Sequence, residues 1–312
     1  DFIFQFSSRF EYVSVLPDIQ YKPANLESSQ LIERNFELIS SGLGVFRTWK
    51  NWDFSFSAML TGRSPGIEDL YSDGPHLGTY SYEIGKPTLN LEQTIGLEVS
   101  LLRNTEKSQI RLTGFQNRSP NYHISSKIGD CPESMNWSAS SGTSHPCAGS
   151  DFIEWGSGSS GWLYKYQMEG YRVSISGLES EIKYNLTNWI NFYSSISLIR
   201  GHNLSDDIPL PYMPPDKFLF STELDLSPVS MFLTLKKVLP QDRLGEFETM
   251  TDGYFLADIS GAYTLHSSNF THKIIFNVDN IFNEVYYNHL SRIKTIMPEK
   301  GRSLNMQYRI IF

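Results

Sequence analysis

Six side chains able to meet a cation crowd one stretch of this chain. Between residues 64 and 89 lie Glu68, Asp69, Tyr71, Asp73, His76 and Glu83. Carboxylates with one imidazole suit a hard or borderline cation. The plainer reading is a structured loop that only packs against a neighbouring domain. His123, His145, His202 and His289 fall in or near other segments that read as long loops, so a relay of metal ligands is open but unforced.

Two cysteines, Cys131 and Cys147, bound the stretch CPESMNWSASSGTSHPC. A zinc site wants more ligands at tight spacing, and only His145 lies nearby. A loop-closing disulfide is the expected outcome and fits an oxidising compartment. No G-x-S-x-G elbow, phosphate-binding loop, dinucleotide fingerprint or H-E-x-x-H is present. No catalytic residue and no cofactor is therefore expected. The net charge of −8, without a Lys/Arg cluster, argues against nucleic acid.

The elements that must carry these residues alternate with period two. At the start, Phe2, Phe4, Phe6, Phe10 and Tyr12 share one face, while Gln5, Ser7, Arg9 and Glu11 share the other. The pattern returns at Trp52, Phe54 and Phe56; at Ile95, Leu97 and Val99; at Phe192, Phe220, Ile259 and Phe276; and finally at Leu304, Met306, Tyr308, Ile310 and Phe312. About twelve such strands fit the length of a tilted membrane crossing: 2–15, 33–48, 51–63, 90–103, 106–124, 162–186, 189–203, 214–225, 228–239, 252–266, 271–284 and 302–312. Val173 and Ile175 fall out of phase with Leu178, Ile182 and Tyr184, which predicts a bulge near Gly177.

Connections alternate short and long. Short turns fall at Lys50-Asn51, Asn104-Thr105, Thr187-Asn188, Ser227-Pro228 and His266–Asn269, and long loops at about 16–32, 64–89, 125–161, 204–213, 240–251 and 285–301. Sorting by parity is what an outer-membrane barrel shows, with its short side periplasmic. Trp49, Trp52 and Trp189 sit beside short turns, where amphipathic rings mark a membrane interface. Aromatics make up 14% of the chain and charged residues 19%, which suits strands with alternate residues in lipid. The expected fold is all-β: an antiparallel transmembrane β-barrel domain over residues 1–312. Arg9, Glu11, Glu98, Arg111, Glu179, Glu181, Glu223, Asp279 and Arg309 would then line the lumen. A phospholipase-like barrel enzyme would need Ser, His and Asn together on the outer face. His272 has the outward phase but Ser260 does not.

Three stretches resemble one known family. SPGIEDLYSDGPHLGTYSYEIGKPTLNLEQTIGLEVSL (64–101), YKYQMEGYRVSISGLESEIKYNL (164–186) and FNVDNIFNEVYYNHLSRIKTIMPEKGRSLNMQYRIIF (276–312) resemble segments of TonB-dependent outer-membrane receptors. The resemblance implies that these twelve strands are the C-terminal part of a barrel of roughly 22. The family's plug domain has no counterpart in this sequence. It implies residence in the bacterial outer membrane and contact with its lipid. It further implies coupling to the TonB energy system through the missing N-terminal part. "DLYSDGPH" is similar to a stretch of receptors for metals or metal chelates, so Asp69, Tyr71, Asp73, His76 and Glu83 are the candidate ligand contacts. The terminal strand implies a signal for the barrel-insertion machinery at Tyr308, Ile310 and Phe312.

The expected function is active uptake of a scarce solute: a siderophore, a metal or metal chelate, or a similar small molecule. The alternative is a complete twelve-stranded passive, porin-like channel.

Overall fold

A computed structural model describes residues 1–18, 25–76, 81–129, 145–154, 162–246, 248–291 and 293–312. The described residues form one sheet of sixteen strands and little helix. Twelve strands make a continuous antiparallel path: β1 (Phe2–Val15), β2 (Arg34–Trp49), β3 (Trp52–Arg63), β6 (Glu92–Asn104), β7 (Ser108–Lys127), β9 (Trp162–Asn185), β10 (Ile190–Asn203), β12 (Lys217–Leu226), β13 (Val229–Val238), β14 (Tyr254–His266), β15 (Thr271–Asp279) and β16 (Ser303–Ile311). Four short strands lie within long loops: β4 (Asp73–His76), β5 (Ser81–Ile84), β8 (Phe152–Glu154) and β11 (Ile208–Pro209). A five-residue helix, α1 (Ile67–Tyr71), precedes β4.

Cross-strand pairing assigns the two faces. The chain of partners Phe4↔Val45↔Phe56↔Val99↔Gly114↔Leu178↔Leu198 runs along one face of the first seven strands of the path. Tyr184↔Phe192↔Thr222↔Leu233↔Ile259↔Val278↔Leu304 continues that face to β16. Its large apolar side chains stand exposed, Phe4 at 71% and Leu304 at 75%. The opposite phase holds Arg9, Glu98, Arg111, Glu181, Glu223, Asp279 and Arg309. A water-facing sheet would bury its apolar face, so this inversion is the signature of strands whose apolar side meets lipid. The sheet does not close on itself, because its path begins at β1 and ends at β16.

The turns follow local chemistry. Lys50 takes φ 54° in the two-residue turn between β2 and β3. The Thr105 hydroxyl sits 2.8 Å from the Ser108 hydroxyl and accepts the Ser108 N–H at 2.9 Å, closing the β6–β7 turn. Several strand ends differ from the period-two reading for identifiable reasons. β12 begins at Lys217 rather than 214 because Pro214 and Pro215 lack the N–H a ladder needs. β15 stops at Asp279 because Asn280 turns the chain at φ 52° and its side chain bonds both backbone groups of Glu284 at 2.8 Å.

The bulge expected near Gly177 is absent there, where the β9–β10 register runs without interruption. The irregularity lies on the partner strand, between Ser119 and Tyr122, where Pro120 and Asn121 oppose a single β9 residue. Pro120 cannot donate to the ladder. Val173 and Ile175 simply face inward, and Val173 is buried because folded loops cover the inner face at that end.

Candidate ligand site at the long-loop end

The segment from Ser64 to Leu91 folds over the wall. Leu70, Tyr71, Ile84 and Leu89 pack with Leu26, Phe36 and Leu38 into a buried apolar cluster, backed by Val13 and Val15 of β1. Leu70 is fully buried, and enclosing such a side chain contributes about 1.5–3 kcal/mol. β4 and β5 form a hairpin, and β5 adds in parallel to the outer end of β9. Gln167 Nε2 donates to the Gly85 carbonyl at 2.9 Å, and an ion pair joins Lys86 to Glu169.

The candidate ligand contacts of this segment go to different tasks. Asp69 Oδ2 accepts the Gly66 N–H at 2.9 Å and so caps its own helix. The Tyr71 hydroxyl donates to the Ile32 carbonyl, and burial pushes its pKa up, with Arg34 partly offsetting. Asp73 accepts the Asn25 N–H at 2.9 Å and its side-chain amide at 2.5 Å. His76 is exposed at the end of β4, opposite Ser81. Glu83 alone reaches a cleft, where its carboxylate accepts the Ser81 hydroxyl at 3.3 Å.

Of the histidines, His123 lines the cleft that Glu83 reaches, and the others lie elsewhere. His123 is buried on Asn90 O at 2.9 Å. His202 meets Asp207 at 2.9 Å. His145 packs on Phe152 and Trp162 and accepts the Cys147 N–H at 3.1 Å. Among the described residues no three His, Cys, Asp or Glu side chains converge as a metal cluster. Cys147 is buried, while Cys131 lies outside the described residues.

The cleft that takes Glu83 has a volume of about 610 Å³ and is bounded by β5, the outer ends of β7 and β9, and the loop from 204 to 216. Tyr122, Tyr166, Tyr171 and Tyr212 supply aromatic surface, with Met213, Leu210 and Ile208 beside them. The Tyr171 hydroxyl is held 2.9 Å from that of Ser126. Glu246 is the second carboxylate of the lining; burial raises its pKa first, and Asp206 raises it further, against Lys127. The mixture of rings, a thioether and two acids can enclose a small solute and orient it through a few polar contacts. Apart from Glu83 and His123, the lining residues escaped the sequence reading. The dense run PLPYMPP at 209–215 was the available signal, since a Pro-rich aromatic loop is preordered for contact.

Adjoining loops are cross-braced. Glu248 accepts the Tyr212 N–H at 2.8 Å and the Gly245 N–H at 2.9 Å, while Gln241 Nε2 donates to the Met213 carbonyl at 2.8 Å. Arg200 grips Asp216 with two bonds of 2.5 and 2.7 Å, which holds the Asp216 carboxyl below its usual range. The loop bearing Tyr212 and Met213 is thereby set against both the wall and the next loop.

A family model described as TonB dependent receptor-like, beta-barrel matches residues 1–281. Among solved structures, the copper transporter OprC is similar with a TM-score of 0.74 at 20% identity, over 96% of this chain and 44% of its own. The FrpB iron transporter from Neisseria meningitidis gives 0.66 at 14% identity, over 98% and 42%. The ferric enterobactin receptor PfeA from Pseudomonas aeruginosa gives 0.59 at 16%, over 87% and 41%. At such identities the likeness shows a shared fold, and the chain spans less than half the length of these structures. With the family model covering most of its residues, this chain belongs to the TonB-dependent receptor-like β-barrel family of bacterial outer-membrane proteins.

Proposed function

We propose that this chain forms wall and external loops of an active-uptake receptor rather than an enzyme. It would take a scarce solute from outside and release it inward when TonB acts on a plug. The observation that carries this reading is the cleft of about 610 Å³ at the long-loop end, within the size range of small-molecule sites. Its rings and its two carboxylates, Glu83 and Glu246, suit a metal, a metal chelate or a siderophore. The copper, iron and enterobactin proteins of the same fold support that solute class. Asp69, Tyr71 and Asp73 serve by holding the segment that presents Glu83, with His76 at its exposed end. A Cys131–Cys147 disulfide would close the neighbouring loop. The Tyr308, Ile310 and Phe312 strand end would be read by the barrel-insertion machinery.

Uptake by cells expressing the full-length receptor tests the reading. Accumulation of labelled siderophore or metal should stop when a protonophore collapses the inner-membrane gradient. Accumulation that persists without the gradient, together with ion conductance in a planar bilayer, would make the passive channel correct. For the site, Glu83→Gln with Glu246→Gln should weaken solute binding by about tenfold or more, since hydrogen bonds to charged groups are worth about 1.5–3 kcal/mol. Unchanged affinity by titration calorimetry would remove the cleft from the function.

A further inference from the structure

The rim at the short-turn end is chemically uneven. On the apolar face, the ends of β2 and β6 and the β2–β3 turn carry three exposed cations, Arg47, Arg103 and Lys50. Each lies over a ring: the Arg47 guanidinium 4.8 Å from the Phe2 centroid, Lys50 Nζ 5.1 Å from Trp49, and the Arg103 guanidinium 5.3 Å from Trp52. Register gathers them on one arc of four strands: Arg47 faces Phe2 of β1, and Trp49 faces Trp52, which faces Arg103 of β6. None of the three joins an ion pair among the described residues. Of the adjacent acids, Asp53 points to the other face and accepts the Thr48 hydroxyl at 2.7 Å, and Glu106 lies in the β6–β7 turn beside Lys107. Farther round the rim the same phase presents Tyr184, Ile190, Leu224, Tyr263 and Ile310, without a Lys or Arg.

Aromatic girdles mark the membrane interface of outer-membrane barrels on every side. A girdle alone does not call for three unpaired cations gathered on one arc. A ring beneath a guanidinium fixes its plane and leaves the opposite side free for an oxyanion. Lys50 extends beyond the last strand residue, where the headgroup level lies.

We propose that this patch is a headgroup site for an anionic phospholipid of the leaflet at the short-turn end. It rests on the reading of the apolar face as the lipid-facing one. The phosphodiester takes the Arg103 guanidinium, Lys50 and Arg47 add charge at its edges, and Trp49 and Trp52 flank the glycerol region. Charge complementarity selects the occupant: a zwitterionic lipid would bring its own cation against three others.

Quenching by brominated phospholipids tests the proposal in the full-length receptor, reconstituted with Trp189→Phe so that rim fluorescence comes from Trp49 and Trp52. Brominated phosphatidylglycerol competes against brominated phosphatidylcholine. The anionic lipid should be preferred by about fivefold or more, since a basic residue near the surface contributes about 1 kcal/mol. Arg47→Gln, Lys50→Gln and Arg103→Gln together should bring the ratio to unity. High salt should weaken the preference in the protein that keeps all three cations, so the test survives a misfolded variant. Equal quenching by both lipids overturns the headgroup site alone, as does a preference indifferent to salt. Absence of quenching by either lipid overturns the lipid-facing assignment itself.

Discussion

His289 shows how a charge network can brace external loops. Its imidazole is buried, with Nδ1 2.9 Å from the Thr251 hydroxyl and 3.1 Å from Lys294 Nζ, and Nε2 3.2 Å from the nearly buried Glu248 carboxylate. Burial lowers the His289 pKa first and Lys294 lowers it further, outweighing Glu248; burial also lowers that of Lys294. An opened cluster therefore binds a proton at His289 more readily than the closed one. Its stabilisation is fully present above the ordinary histidine value of about 6.5 and declines as pH falls below that toward the depressed folded value. Amide exchange in 239–253 and 280–302, corrected for intrinsic rate, should quicken between pH 7 and 5.5. Lys294→Met should shrink that change, because without the repelling cation the folded-state pKa of His289 moves back toward its ordinary value. Protection that does not vary with pH would sink the idea. None of this was legible in the sequence, which placed His289 in a long loop but could not bring Glu248 to it from a different loop.

Elements were more legible than contacts, for a physical reason. Period-two alternation is written residue by residue, so β1, β3 and β14 lie where Phe2–Tyr12, Trp52–Leu60 and Phe255–Tyr263 had placed them. Loops fold by contacts between distant segments, and α1, β4 and β5 gave no comparable local signal. The bulge illustrates both limits. The phase conflict at Val173 was visible, but its resolution depended on Pro120 across the ladder and on loops burying an inward valine. Gly85 governs how the 64–91 segment closes. A Cβ there would sit 2.3 Å from the Tyr71 nitrogen and 2.4 Å from the Leu70 carbonyl carbon and oxygen, all backbone atoms that cannot step aside. Gly85→Ala should pry α1 from β5 and cost about 1–3 kcal/mol of local stability. Limited proteolysis on intact cells should then cut within 64–91 faster than in the unsubstituted protein. An unchanged cutting rate would mean that the helix and hairpin are not clamped together at this point.

At the scale of the molecule, the two faces of one sheet answer to two solvents, and neighbouring positions at one height can tell them apart. Leu97 pairs with Ala58 on the apolar face, and Ser57 pairs with Glu98 on the polar one. The positions are one residue apart along their strands, so depth is nearly the same for both. An arginine replacing Leu97 would have to carry its charge into hydrocarbon, at about 2–4 kcal/mol near the midplane of an outer-membrane barrel. An arginine replacing Ser57 would enter the polar interior beside the Glu98 carboxylate and should change stability by less than about 1 kcal/mol. The measurement is denaturant unfolding of the full-length receptor into lipid bilayers, comparing Leu97→Arg with Ser57→Arg. A large loss for the first and a small one for the second is expected. Equal losses would mean that both faces meet the same medium, and a larger loss for Ser57→Arg would turn the sheet inside out. The contrast isolates burial in lipid from strand propensity, because the same residue is introduced into adjacent strands of one ladder.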